Sequence, residues 1–474
     1  MMNEETKMLY DKLYVFLKEA IPILRKNVSI SSLPTLRRYG IEKDKNRVKI
    51  VAYNSPNWWQ IQDYGEILKL PSLNEAIGFC NRHQQIRTLD GKWSYALGHG
   101  TTFHANHVPI SFLQELVNRE NGLKFRKKSF EKIFNDFLRY ISLKEKSYAR
   151  LIVPLDSLAI NTKVIKLEQN LRIRNFTNQE LVDILNNCPT ISHFYETGLS
   201  AWFRCILEFD MPFNWSWVTQ SEKDDPNRFL AIINSTDVYQ SLKPNINQEI
   251  VMLRAILNRQ ISSSTYVIDY RGWESVMFSG GQINYLPWIR SKVFFTDPLP
   301  PKEINSYKKY RRKFLAMNER KTQQRIFVAM RKLAFSMEKP YGGDEIMDTV
   351  SGLEGLLVNS RNEIRHKFAE RVALLLEKDP QKREEFQKDM RKAYDLRSDV
   401  AHGLVVTDDV DSIMSKVYVG QKPEKKEIDE FNKIQELRKR TRQLLHQTIL
   451  ICLDKQTTNF SWDSSLMGTK VSPL

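Results

Sequence analysis

Two residues of complementary chemistry, Arg397 and His402, stand five positions apart in AYDLRSDVAHGLVV, residues 393–406, and Gly403 follows at once. An imidazole that titrates near neutrality can take the proton from a ribose 2′-hydroxyl or give one to a departing 5′-oxygen. A guanidinium beside it would hold the phosphate as negative charge builds. The pair therefore suits cleavage of an RNA backbone without a metal. One histidine performs one proton transfer at a time, so base and acid together call for a second copy. A two-fold dimer that brings both His402 side chains together would supply it.

The same spacing also fits a plainer role. A basic residue in the last turn of a helix offsets the macrodipole, and an arginine near an aspartate is commonly a solvated ion pair. On an ideal helix the two side chains would lie roughly 140° apart, since each residue turns about 100°. Gly403 is the expected stop, which leaves His402 in a frayed or tightened final turn, and arginine is long enough to reach around. Asp395, Ser398 and His402 fall at i, i+3 and i+7, a polar stripe in a setting otherwise rich in hydrophobic residues.

The elements that must position these residues lie between about 302 and 457, where the pattern is almost wholly helical. EIMDTVSGLEGLLV puts Ile346, Val350, Leu353 and Leu357 on one stripe, and NEIRHKFAERVALLLE does the same with Ile364, Phe368, Val372 and Leu375. EEFQKDMRKAYDLRSDVAH and EIDEFNKIQELRKRTRQLLHQTILICL supply two more helices, and a bundle is the natural architecture. Residues 150–301 alternate like strands in RLIVPLDSLAI, TKVIKLEQNLRIRNF, AWFRCILEFD and STYVIDYRGW. Within them Thr177 and Glu180 form a capping-box start, and Pro298, Pro300 and Pro301 mark a boundary. In 1–149, Leu9, Leu13, Phe16 and Leu17 make an amphipathic helix with Pro22 as its expected stop. Short strands and loops are expected from there to about 110, then helices broken at Asn121 and Gly122. The expected fold class is α+β. Strand-rich, mixed modules at 1–149 and 150–301 precede an all-α bundle at 302–457 and a tail at 458–474.

The order of helical segments resembles the HEPN superfamily, in particular its Apea-like branch. A basic lead-in helix, RRKFLAMNERKTQQRIFVAMRKLAF, precedes DEIMDTVSGLEGLLV, RHKFAERVALLL and YDLRSDVAHG. The last is similar to the ribonuclease motif of that superfamily, an Arg and a His separated by four to six residues with a polar residue, here Ser398, after the Arg. LIVPLDSLAINTKVIKLEQNLRIRNFTNQELVDIL is similar to the strand-rich module that often precedes the domain, so the likeness covers about residues 150–455.

The resemblance implies a homodimeric, metal-independent endoribonuclease of anti-phage or abortive-infection type. It would act as a toxin on cellular RNA, tRNA being the expected target, and leave 2′,3′-cyclic phosphate and 5′-hydroxyl ends. It implies His402 as general acid or base, Arg397 as phosphate clamp, and Ser398 and Asp399 as polar support. Glu354 and Arg371 also look like family positions. They would either reinforce the site or form a buried ion pair joining helices, and the ion pair is the favoured expectation. No cofactor is implied, and a phage-derived or cellular trigger is expected at the amino-terminal modules. The alternatives are a silent HEPN scaffold that binds RNA, and a DNA-binding or nucleic-acid sensor whose helical domain only dimerises.

Composition points the same way. With 72 Lys+Arg against 56 Asp+Glu, the 474-residue chain carries a formal charge of +16, which favours polyanionic partners. Phosphate contacts are expected from Arg311, Arg312, Lys313, Arg438 and Arg440, within basic runs that also hold Arg325. No apolar run approaches a spanning helix and the start lacks a signal peptide's core, so a cytoplasmic protein off the membrane is expected. Cys80, Cys188, Cys205 and Cys452 are too scattered for a disulfide framework or a zinc site and read as buried thiols. His99, His104 and His107 read as a polar loop, with a regulatory metal site as the minority reading. SGGQINY lacks the Lys-Ser/Thr of a phosphate loop and reads as a hairpin turn at Gly280 and Gly281.

Overall fold

A computed structural model describes residues 3–27, 35–44, 47–56, 65–96, 99–120, 122–142, 147–155, 157–187, 205–213, 216–236, 238–263, 265–270, 272–273, 282–285, 298–339, 342–358, 362–403 and 425–462. These form two units. The first takes Met1–Pro154, Lys163–Pro244 and Thr265–Leu286; the second takes Leu155–Thr162, Asn245–Ser264 and Pro287–Leu474. Three consecutive modules were expected, and the chain instead interleaves.

The first unit opens with α1 (Glu4–Asn27), the hairpin β1 (Thr35–Asp44) and β2 (Arg47–Pro56), and α2 (Gly65–Leu68), α3 (Pro71–Arg82) and α4 (Gln84–Leu89). It continues through β3 (Trp93–Ala96), β4 (His99–Thr102), α5 (Val108–Arg119), α6 (Lys127–Ser142), β5 (Ser147–Leu155), β6 (Val164–Lys166), β7 (Leu171–Asn175) and α7 (Asn178–Asn187). After β8 (Cys205–Phe213) and β9 (Ser216–Val218) come α8 (Gln220–Asp224) and α9 (Pro226–Thr236), and later β10 (Thr265–Tyr270) and β11 (Gln282–Tyr285). Pro22 does not end α1. It sits on an exposed position while Ile21 and Leu24 on either side are buried, so core packing carries the helix past it. The expected strands and loops before residue 110 include α3 and α4. Leu73, Ala76 and Cys80 form a buried i, i+3, i+7 stripe hidden among Trp- and Asn-rich flanks.

A six-stranded sheet runs in the order β11-β10-β5-β8-β7-β6, and a three-stranded one in the order β4-β3-β9. Because β3 pairs with both β4 and β9, the first and middle stretches of sequence share one sheet. Gly280 and Gly281 lie outside the described residues, although β10 and β11 pair antiparallel on either side of that segment. Thr177 and Glu180 do form the capping box: each backbone N–H donates to the other's side chain, at 3.1 and 3.2 Å. Burial opposes ionisation of Glu180, but Arg174 and Thr177 outweigh it and hold the carboxyl at about 2.

The second unit holds most of α10 (Val238–Leu257) with α11 (Pro301–Leu315), α12 (Arg320–Ser336), α13 (Gly342–Leu357), α14 (Ile364–Leu376), α15 (Pro380–Ala401) and α16 (Lys425–Lys455). The single basic lead-in helix of the sequence reading is two helices, α11 and α12, broken at 316–319. Residues 245–264 bring buried charge into this unit as well as apolar side chains. Glu249 accepts from the Tyr307 hydroxyl and from Arg311 Nε, at 2.8 Å for the latter, and Arg254 is enclosed by Ile261, Ala334 and Glu338. Ile346, Val350, Leu353 and Leu357 are all buried along α13. At Gly352 a Cβ would meet the Leu445 side chain at 2.8 Å, so glycine lets α13 lie close against α16.

Candidate functional site

The site is built on α15. Its start is conventional: Asp379 accepts from the Gln381 N–H at 3.0 Å and Pro380 fills the first turn, where an amide would lack a partner anyway. Its end places the histidine. The helix stops at Ala401, the His402 N–H donates to the Ser398 carbonyl at 3.0 Å, and Gly403 turns left-handed at φ 67°. A side chain at 403 would strain that turn. His402 is therefore exposed on the cap itself, while Ser398 and Asp399 before it are half-buried.

Arg397 faces another way. Its Nη2 lies 3.6 Å from Glu354 Oε2 on α13, and its guanidinium sits 5.6 Å from the centre of the Tyr394 ring. Both side chains keep about a quarter of their surface exposed, 28% for Arg397 and 24% for Glu354. Yet Arg397 Nε and Glu354 Oε2 are buried without a hydrogen-bond partner among the described residues. The pair is close and under-bonded among the described residues, a state that costs stability. Burial, and then the Glu354 carboxylate, push the Tyr394 phenol above its ordinary value.

The favoured Glu354–Arg371 ion pair is not what forms. Arg371 donates to the Leu357 carbonyl at 2.6 Å and stacks on Trp462 at 5.3 Å. Arg325, expected among the phosphate contacts, donates to the Gly355 carbonyl at 2.8 Å and to that of Leu356 at 3.1 Å. Two guanidiniums thus satisfy the last carbonyls of α13, which have no partners within the helix, and fix the turn that carries Glu354. Replacing Arg371 by Ala should cost the helical unit about 1–2 kcal/mol, one charge-assisted hydrogen bond and one aromatic contact. Hydrogen exchange at the Val358 amide, bonded to the Glu354 carbonyl at 2.8 Å, would report it, and unchanged protection there would refute the clamp.

The polar stripe noted in the sequence extends further than it was read. Asp395 accepts from Arg365 Nε of α14 at 2.6 Å, and one turn earlier Arg391 Nη2 lies 3.2 Å from His366 Nδ1. Arg365, His366 and Arg391 were missed. The signal was present, because Arg391, Asp395, Ser398 and His402 fall at i, i+4, i+7 and i+11.

Most of the arginines expected on RNA are engaged elsewhere. Arg311 is buried with Glu249, Arg438 is held by the buried carboxylate of Glu345, and Arg440 pairs with Asp389 and stacks on Phe386 at 4.7 Å. Lys313 pairs with Asp454 at 2.7 Å, whereas Arg312 is exposed and, among the described residues, bonds only the Lys308 carbonyl. Arg311 lies on the buried stripe Ile304, Tyr307, Arg311, Phe314, a spacing that could have given it away.

Among the described residues no group of three or more His, Cys, Asp or Glu is placed to hold a metal, and no helix is long and apolar enough to cross a membrane. His104 and His107 are exposed with ring centres 5.2 Å apart; the His99 side chain and Cys188 lie outside the described residues. Burial pushes the Cys80, Cys205 and Cys452 thiols up to about 12, which keeps them unreactive. Compared with known protein families, curated proteins and solved structures, the chain matches none.

Proposed function

We propose that the helical unit is a metal-independent endoribonuclease of the HEPN, Apea-like kind. In this reading it acts as a homodimer on cellular RNA, with tRNA the expected substrate. Its setting is the cytoplasm of a cell under phage attack, where a phage-derived or cellular trigger acts through the amino-terminal residues. The observation that carries the reading is the α15 terminus, where His402 is presented by a left-handed glycine and Arg397, one and a half turns earlier, is charged and under-bonded. The ribose 2′-oxygen attacks phosphorus and gives its proton to one imidazole. The bond from phosphorus to the 5′-oxygen breaks, and a second imidazole protonates the departing oxygen. A neighbouring copy supplies that second His402, and Arg397 stabilises the pentacoordinate phosphate.

The test is cleavage of total tRNA in EDTA by the protein and by His402→Ala, with chemical analysis of the ends. Cyclic phosphates from wild type, lowered about 10²–10⁴-fold in the variant, are expected. Equal cleavage by both would remove His402 from the mechanism. A second reading, a silent RNA-binding scaffold, draws support from Arg397 being held by Glu354 on a face of α15 turned away from His402. Binding without cleavage under any condition would favour it.

A further inference from the structure

We propose that Arg365, His366 and Arg391 form a subsite that holds the backbone of single-stranded RNA as it leaves His402. This deepens the ribonuclease reading and rests on it for the choice of RNA as ligand. Arg391, Asp395, Ser398 and His402 line one face of α15, so the cations nearest in angle to His402 are those along this stripe. Arg397 is turned toward Glu354.

The amino-terminal turn of α14 lies against the same stripe, with Arg365 on Asp395 and His366 on Arg391. The Arg365–Asp395 pair is about half exposed, at 55% and 46%. An exposed pair of that kind is weak and exchanges readily for a phosphate, which accepts the same fork of N–H donors. Arg391 meets no carboxylate among the described residues. Its guanidinium donates to His366 Nδ1, which leaves the Nε2 side of that ring to carry a proton, with Glu370 3.9 Å away. These groups lie roughly 10 and 16 Å from His402 along the helix axis, at about 1.5 Å per residue, a reach that a short extended strand covers. Backbone contacts of this type position RNA without reading its sequence.

The experiment is fluorescence anisotropy with a labelled oligouridylate carrying 2′-O-methyl groups, which cannot be cleaved, titrated against the full-length protein over a range of salt. Arg365→Ala/Arg391→Ala should weaken binding about tenfold and reduce the slope of log K on log salt by roughly 1.4, the share of two phosphate contacts on a single strand. Arg391→Lys should restore most of the slope, and Lys382→Ala, on an exposed position about half a turn around α15 from Arg391, should leave it unchanged. Unchanged affinity and slope in the double variant, or no binding by the wild type, would overturn the subsite. Equal weakening of a DNA duplex of the same length would overturn RNA as its ligand. Because the probe cannot be cut, stripe-dependent binding by a protein that never cleaves RNA would uphold the subsite and sink the ribonuclease reading. Normal cleavage with stripe-independent binding would do the reverse.

Discussion

Glu249→Ala should cost the helical unit about 3–5 kcal/mol, a large share of the whole stability of a typical domain. Glu249 is buried, and both partners are buried with it: Tyr307 donates its hydroxyl, and Arg311 donates Nε to both carboxylate oxygens at 2.8 and 3.0 Å. Removing the carboxylate takes the Glu249 anion from a buried guanidinium, whose desolvation is then offset less well. Burial, and then the Glu249 charge, raise the Tyr307 phenol well above its ordinary value, so the tyrosine stays a neutral donor and cannot replace the lost anion. The decisive comparison is the triple variant Glu249→Leu/Tyr307→Phe/Arg311→Met, which removes the charges and the hydroxyl together and should unfold in urea near the wild-type midpoint or above it. A single variant within about 0.5 kcal/mol of wild type would mean that the site is hydrated and the cluster incidental. The triple variant should also bind RNA as tightly as wild type, the opposite of what the basic run around Arg311 suggests on its own.

That contrast shows where a sequence is legible. The stripe of α13, the capping box at Thr177 and the stop at Gly403 depend on local spacing, and each was readable because its physics acts within a few residues. Ion pairing is different: it joins residues far apart in the chain. Arg371 could be placed near Glu354, but nothing in the spacing says that the Leu357 carbonyl and Trp462 claim it first. The basic runs hide a difference of a related kind. Formal charge ignores the helical period, and Arg311 shares a buried stripe with Tyr307 and Phe314 while its neighbour Arg312 faces water. Residues 245–264 were assigned with the strands because they adjoin them in sequence, whereas Arg254 and Glu249 bind them to the bundle.

Stability and activity should move in opposite directions when the Arg397–Glu354 pair is replaced whole by apolar side chains. Its 3.6 Å separation is too long for a hydrogen bond, and among the described residues each side chain keeps a buried polar atom without a hydrogen-bond partner. Such atoms cost about 1–3 kcal/mol apiece when nothing satisfies them. Glu354→Leu/Arg397→Met exchanges two poorly bonded charges, three-quarters buried, for apolar side chains of similar length. It should therefore raise stability by about 1–2 kcal/mol, the lower part of the range for fully buried pairs, since these residues are one quarter exposed. Arg397→Ala alone should lower stability by about 1–2 kcal/mol, because it leaves the Glu354 carboxylate without its cation. On the proposed ribonuclease reading, both variants should lose cleavage of tRNA by about 10²–10³-fold, the range for removing one group that stabilises transition-state charge. Arg397→Lys separates charge from shape: it keeps the cation but not the planar fork, so it should hold stability near wild type and still lose most of the rate. Urea unfolding and cleavage rates on the same preparations decide the matter. A double variant that is both less stable and fully active would show that the pair is a structural strut and that Arg397 takes no part in the chemistry.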